Sequence, residues 1–148
     1  MKTFFPSRLR FHRIAMVVVF LVATTAATCF AGPTITVSVS PSTVTNQAQD
    51  AVYTLALSTP TSKKIQVNFQ MNGTATPGAD YVLLGNFDQF GRIVIPTGQS
   101  SATVTLHTLD DDGPRKSETA TFTLIGGDAY HVGRPFSATV TILNDRFL

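Results

Sequence analysis

Four acidic residues fall within ten positions in the stretch LDDDGPRKSE, Leu109 to Glu118: Asp110, Asp111, Asp112 and Glu118. The whole chain of 148 residues has only nine. Three consecutive carboxylates repel one another unless they are solvated or a positive group sits among them. Asp, Gly and Pro are turn formers, so one reading is a solvated turn between strands. The other is an oxygen-donor site for a hard divalent cation, the positive group being a metal ion or a neighbouring arginine.

Other chemistry is thinly represented. Apart from His12 near the start, the histidines are His107 and His131. His107 follows Leu106 and is expected to point outward from a strand, and His131 lies in a connection at the far end. Neither is placed to meet the acidic cluster, and no Ser-His-Asp contact is suggested. With one cysteine and so few histidines zinc is disfavoured, and paired carboxylates would need a substrate cleft to cleave glycosides. The chain is therefore read as a non-enzyme. Tyr53, Tyr81 and Tyr130 would suit a sugar-stacking face, but Tyr53 is in phase with Leu55 and Leu57 and is expected in the core. Phe87 and Phe90 in GNFDQFG either mark an interaction surface or fold back to cap the core, the second being preferred.

The first 31 residues read as an address. Lys2, Arg8, Arg10 and Arg13 form a positive region, Ile14 to Ala27 is apolar, and Cys29-Phe30-Ala31 offers small residues for a signal peptidase. Cleavage is placed after Ala31, with Ala27 as the alternative. The apolar run is shorter than the roughly 20 residues that span a membrane, and a retained signal anchor is the competing outcome. Either way the remainder is expected to be secreted, periplasmic or at the cell surface. Residues 32–148 carry seven Lys and Arg against nine Asp and Glu, a net charge of −2. The basic character of the full chain thus belongs to its leader and does not point to nucleic acid. Cys29 leaves with the leader, so a single hydrophobic core must stabilise the domain without disulfides.

The elements that position the acidic stretch show a period of two. Ile35, Val37 and Val39 alternate with polar residues, as do Tyr53, Leu55 and Leu57, and Ile65, Val67, Phe69 and Met71. The pattern resumes at Ala102, Val104 and Leu106, at Ala120, Phe122 and Leu124, and at Ala138, Val140 and Ile142. Turn signals such as Asn72-Gly73, Pro77-Gly78 and Gly126-Gly127 separate these runs. The spacing predicts seven strands in two packed antiparallel sheets: 34–39, continuing toward 45; 50–58; 64–71; 81–84 joined with 92–95; 100–108; 118–125; and 136–143. Phe69 and Phe122 are expected to face each other between the sheets. If successive strands alternate in direction, Asn46, Asp80, the 110–118 loop and Asp145 gather at one end.

The strings NGTATPGADY, IPTGQS, SETATFTL and ATVTILND, in that order and at similar spacing, resemble the Calx-beta domain over Pro33 to Asp145. The resemblance implies an all-β, immunoglobulin-like antiparallel β-sandwich of about seven strands over residues 32–148. Domains of this family occur in sodium-calcium exchangers, integrin subunits and bacterial surface proteins, and several bind calcium at the end just described. Carried over by position, the implied metal residues are Asp80, Asp110, Asp111, Glu118 and Asp145, with the carbonyl of Gly113. Asn46 and Arg115 stand where glutamates are usual, and Asn144 and Arg146 where aspartates are usual. Fewer carboxylates mean weaker calcium binding, so the implied site is one weak Ca2+ rather than a cluster. The function implied is an exported module with a structural, adhesive or cell-surface communication role. Its partners would be calcium and another surface protein or a second copy, with no nucleic acid and with membrane contact only through an uncleaved anchor. The alternative is a calcium-independent sandwich in which Arg115 replaces the ion.

Overall fold

The computed structural model describes residues 32–110 and 116–144. The expected signal segment, Asp111, Gly113, Arg115 and Asp145 lie outside the described residues.

Within them the chain forms ten strands: β1 Thr34–Ser40, β2 Thr43–Thr45, β3 Asp50–Leu57, β4 Ile65–Gly73, β5 Tyr81–Gly85, β6 Arg92–Ile95, β7 Ser101–Thr108, β8 Glu118–Ile125, β9 His131–Val132 and β10 Ser137–Leu143. They make two five-stranded sheets, ordered β5-β7-β3-β1-β9 and β2-β10-β8-β4-β6. The β-sandwich is as expected, and the count of seven is corrected to ten. The run toward residue 45 is two strands, because Pro41 has no N–H to extend a ladder and the chain leaves the first sheet there. β2 then lies parallel to β10 in the second sheet. The segments 81–84 and 92–95 are likewise separate edge strands of opposite sheets: β5 pairs with β7, and β6 with β4.

Alternation places Ile35, Val37, Tyr53, Leu55, Val104 and Leu106 of one sheet against Val67, Phe122 and Val140 of the other, all essentially inaccessible to water. Phe69 and Phe122 are both buried, but they are neighbours in one sheet, stacked 4.4 Å apart. The residue that reaches Phe122 from the opposite sheet is Tyr53, at 5.1 Å. Alternation fixes which face a side chain occupies but not which sheet its strand joins. Tyr53 also crosses the core with its polar end, donating its hydroxyl to the Ala120 carbonyl at 2.7 Å. Burial raises the pKa of this phenol, as does the neighbouring Tyr81, and the backbone at Val140 opposes them only in part.

The three tyrosines are all buried, so they form no sugar-stacking face. At the end opposite the acidic loop, the Tyr130 hydroxyl donates to Ile125 O at 2.6 Å and accepts the Asn68 N–H at 3.0 Å. The two loop aromatics divide. Phe87 packs edge-on against Phe69, whereas Phe90 stands in solvent.

Candidate metal centre

Three connections and the end of β10 meet at one rim of the sandwich, as strand parity requires. The β1-β2-β3 connection arrives with Asn46, whose N–H donates to Leu143 O at 3.1 Å and so ties it to the end of β10. The next residues are held by Thr108, which is fully buried at the end of β7. Its hydroxyl donates to Thr45 O at 2.8 Å and accepts the Gln49 N–H at 2.8 Å, and Gln49 Oε1 accepts the Thr45 N–H at 2.9 Å. The turn between Thr45 and Gln49 passes through Ala48 at φ 51°, a left-handed conformation that this clamp maintains.

The β4–β5 connection supplies Asp80, only 4% exposed. The turn at Pro77-Gly78 folds the chain back so that Asp80 Oδ2 accepts the Thr76 N–H at 2.6 Å. Asp80 O accepts the Leu109 N–H at 2.9 Å, which joins this connection to the start of the acidic loop. Glu118 opens β8, half-buried and in register with Ile142 of β10.

Asn46, Asp80, Glu118 and Asn144 line one cavity of about 10 Å³, together with Lys116 and the apolar Leu109 and Ile142. That is room for about one water-sized sphere. Of the expected metal residues, Asp80 and Glu118 meet there. Asp110 is exposed and is not part of the lining. Asn46, expected only as a lost ligand, is the deepest polar residue on the wall that lacks partners. It is 6% exposed, and among the described residues neither its Oδ1 nor its Nδ2 has a hydrogen-bond partner. A buried amide in that state costs roughly 1–3 kcal/mol. Lys116 was not singled out from the sequence; its position beside Arg115 in the acidic stretch was the available signal.

The donor chemistry can be tested against calcium, which takes about six to eight oxygens. Two carboxylates, an unpartnered amide and a second amide share one small cavity, a set that fits a single hard cation completed by loop oxygens or water. Among the described residues no three His, Cys, Asp or Glu side chains converge, and Asp111 and Asp145 lie outside them. The histidines are elsewhere. His107 Nδ1 lies 2.6 Å from Asp50 Oδ1 on the outer face of the first sheet, and His131 is exposed toward the other end.

Two packed and mainly antiparallel sheets with oxygen donors gathered at one rim define the fold class as an all-β sandwich. No protein-family profile matches the sequence, and no curated protein is similar to it in sequence. Solved structures are similar in fold. The apo-form Calx CBD1 domain superposes with a TM-score of 0.58 at 23% identity, over 75% of this chain and 97% of that one. CBD12 from CALX1.2 gives 0.60 at 21% identity, over 76% of this chain and 45% of that one. The Calx CBD2 domain gives 0.54 at 13% identity, over 76% and 87%. The chain shares the β-sandwich fold of these Calx domains.

Proposed function

We propose that this domain is an exported, non-catalytic binding module that takes one calcium ion weakly at the Asn46–Asp80–Glu118 rim, in a structural, adhesive or cell-surface role. The observation that carries the reading is Asn46: a buried amide oxygen with no partner among the described residues, in the same small cavity as two carboxylates. A cation would accept a lone pair from the orphan oxygen and add positive charge beside Asp80 and Glu118, where Lys116 also stands. Asp110, Asp111, Asp145 and the Gly113 carbonyl are the proposed remaining oxygens, and their contribution is what the resemblance implies. The fold it shares with a structure described as a calcium binding domain of CALX1.1 supports the same ion. Ion binding would cross-link the connections after β2, β4 and β7, stiffening the rim for contact with another surface protein or a second copy.

The test is a calcium titration of the purified protein by calorimetry beside Asp80→Asn. The parent is expected to bind one ion with a Kd of about 0.1 mM, and Asp80→Asn to bind at least about tenfold more weakly. Equal binding by the two proteins would contradict the assignment of the site.

One observation favours a second reading, in which an internal cation replaces the ion. Lys116 lines the cavity, and it can fill the role first expected of Arg115, which lies outside the described residues. In this reading the parent binds no calcium, and Lys116→Gln lowers the melting temperature because the carboxylates lose their counter-charge.

A further inference from the structure

Away from the rim, the feature that stands out among the described residues is Phe90, a large apolar side chain left 71% exposed. Its ring is held in place. Asp88 Oδ1 accepts the N–H groups of Phe90 at 2.9 Å and Arg92 at 3.1 Å, while Oδ2 accepts the Arg92 Nε–H at 2.7 Å. The guanidinium fixed in this way lies 5.0 Å from the ring centroid and covers one face of it. Gly91, at φ +72°, closes the loop where a Cβ would stand 2.6 Å from the Phe69 carbonyl oxygen. Phe87 anchors the other side of the loop, 5.8 Å from the Phe69 ring. The loop is a bracket that presents an aromatic ring to water.

Two grooves run beside it on the outer face of the second sheet. One, of about 450 Å³, is lined by Phe90, Ile125, Asn68 and Arg92. The other, of about 510 Å³, shares Asn68 and Arg92 and adds Gln66, Lys64 and Asp128.

We propose that this face binds a neutral polysaccharide chain. The strand beneath it, β4, is paired on both sides, by β8 and by β6. The sheet edge beside the grooves is β6, where Phe87 already bridges Ile93 and the Asp88 N–H donates to Arg92 O at 2.9 Å, which disfavours an added peptide strand. Carboxamides both donate and accept, as sugar hydroxyls do, and Asn68 is fixed by donating its Nδ2–H to Gly126 O at 3.3 Å. A pyranose presents the matching alternation, a C–H face for the Phe90 ring and a rim of hydroxyls for Gln66 and Asn68. The charges balance, Lys64 and Arg92 against Asp88 and Asp128, so the face has no net charge to select an acidic chain.

The experiment is titration calorimetry of the purified protein in chelator with neutral hexasaccharides of glucose, xylose and mannose. An oligogalacturonate and an extended polar peptide serve as comparisons. At least one neutral hexasaccharide is expected to bind with a Kd of about 1 mM or below, and Phe90→Ala to weaken it about tenfold or more. The melting temperature should not move, because the ring is in solvent. The proposal is overturned if no neutral hexasaccharide binds at about 10 mM, if only the oligogalacturonate or the peptide binds, or if Phe90→Ala binds as the parent does.

Discussion

Asn46 is the residue on which the rim turns. Its backbone is secured to Leu143 while its amide, 6% exposed, is left without a partner among the described residues. Replacing it by Asp buries a carboxylate at the same place, which is costly unless a cation neutralises it. Asn46→Asp is therefore expected to melt below the parent in chelator, to recover in millimolar calcium, and to bind calcium at least about tenfold more tightly, a gain of about 1.4 kcal/mol. Calorimetry and melting on the same samples check both signs. In the core, Phe122 contacts Tyr53 and Phe69 at once, so Phe122→Ala is expected to cost about 3–5 kcal/mol in denaturant unfolding. Residue identities carried part of this. The apolar phase of Tyr53 and Phe122 showed their burial, because a strand face is set by alternation. The isolation of Asn46 was not legible, since whether an amide finds a partner depends on which loops arrive beside it.

Among the elements, β7 organises the site through its last residue. Thr108 holds both Thr45 and Gln49 with one hydroxyl and so sets the path of the turn that carries Asn46. Thr108→Val keeps the shape and removes the hydroxyl, leaving the Thr45 C=O and the Gln49 N–H unsatisfied at a cost of about 1–3 kcal/mol. Its calcium affinity should fall while Thr108→Ser keeps it. A loss of stability with unchanged affinity would show that the turn does not depend on this clamp to place Asn46. The loop between β5 and β6 depends on Asp88 in a comparable way. Partial desolvation opposes ionisation there, but the amide N–H groups of Phe90 and Arg92 and the Arg92 guanidinium outweigh it and hold the carboxyl below its ordinary pKa. A carboxyl so depressed stabilises the fold above its unfolded pKa and loses that contribution as pH falls through the folded value. Phe90 amide exchange should accelerate at that acidic end, and Asp88→Asn should abolish the pH dependence. The long strands were legible from their period of two. The allocation of β2, β5 and β6 to sheets was not, because edge strands of either sheet show the same alternation, and β9, with two residues, is too short to show any period.

Across the whole molecule, strand direction brings together Asn46, Asp80 and Glu118, residues distant in sequence, at one end of the sandwich. That gathering followed from counting strands even though the count was low: the switches of sheet at Pro41 and between β5 and β6 leave each connection at its expected end. The chemistry of the rim was less legible, since the same acidic stretch serves as a solvated turn, a lysine-neutralised pocket or an ion site. Linkage separates these states for the intact fold, because an ion that binds only the folded protein raises its stability in proportion to occupancy. The decisive measurement is thermal melting of the purified protein in chelator and in about 1 mM calcium. A site with a Kd of about 0.1 mM adds about 1.4 kcal/mol, a rise of several degrees for a domain of this size. That rise, diminished in Asp80→Asn, is the predicted result. An unchanged melting temperature at every millimolar calcium concentration, in both the parent and Asn46→Asp, would contradict the assignment of this rim as a calcium site.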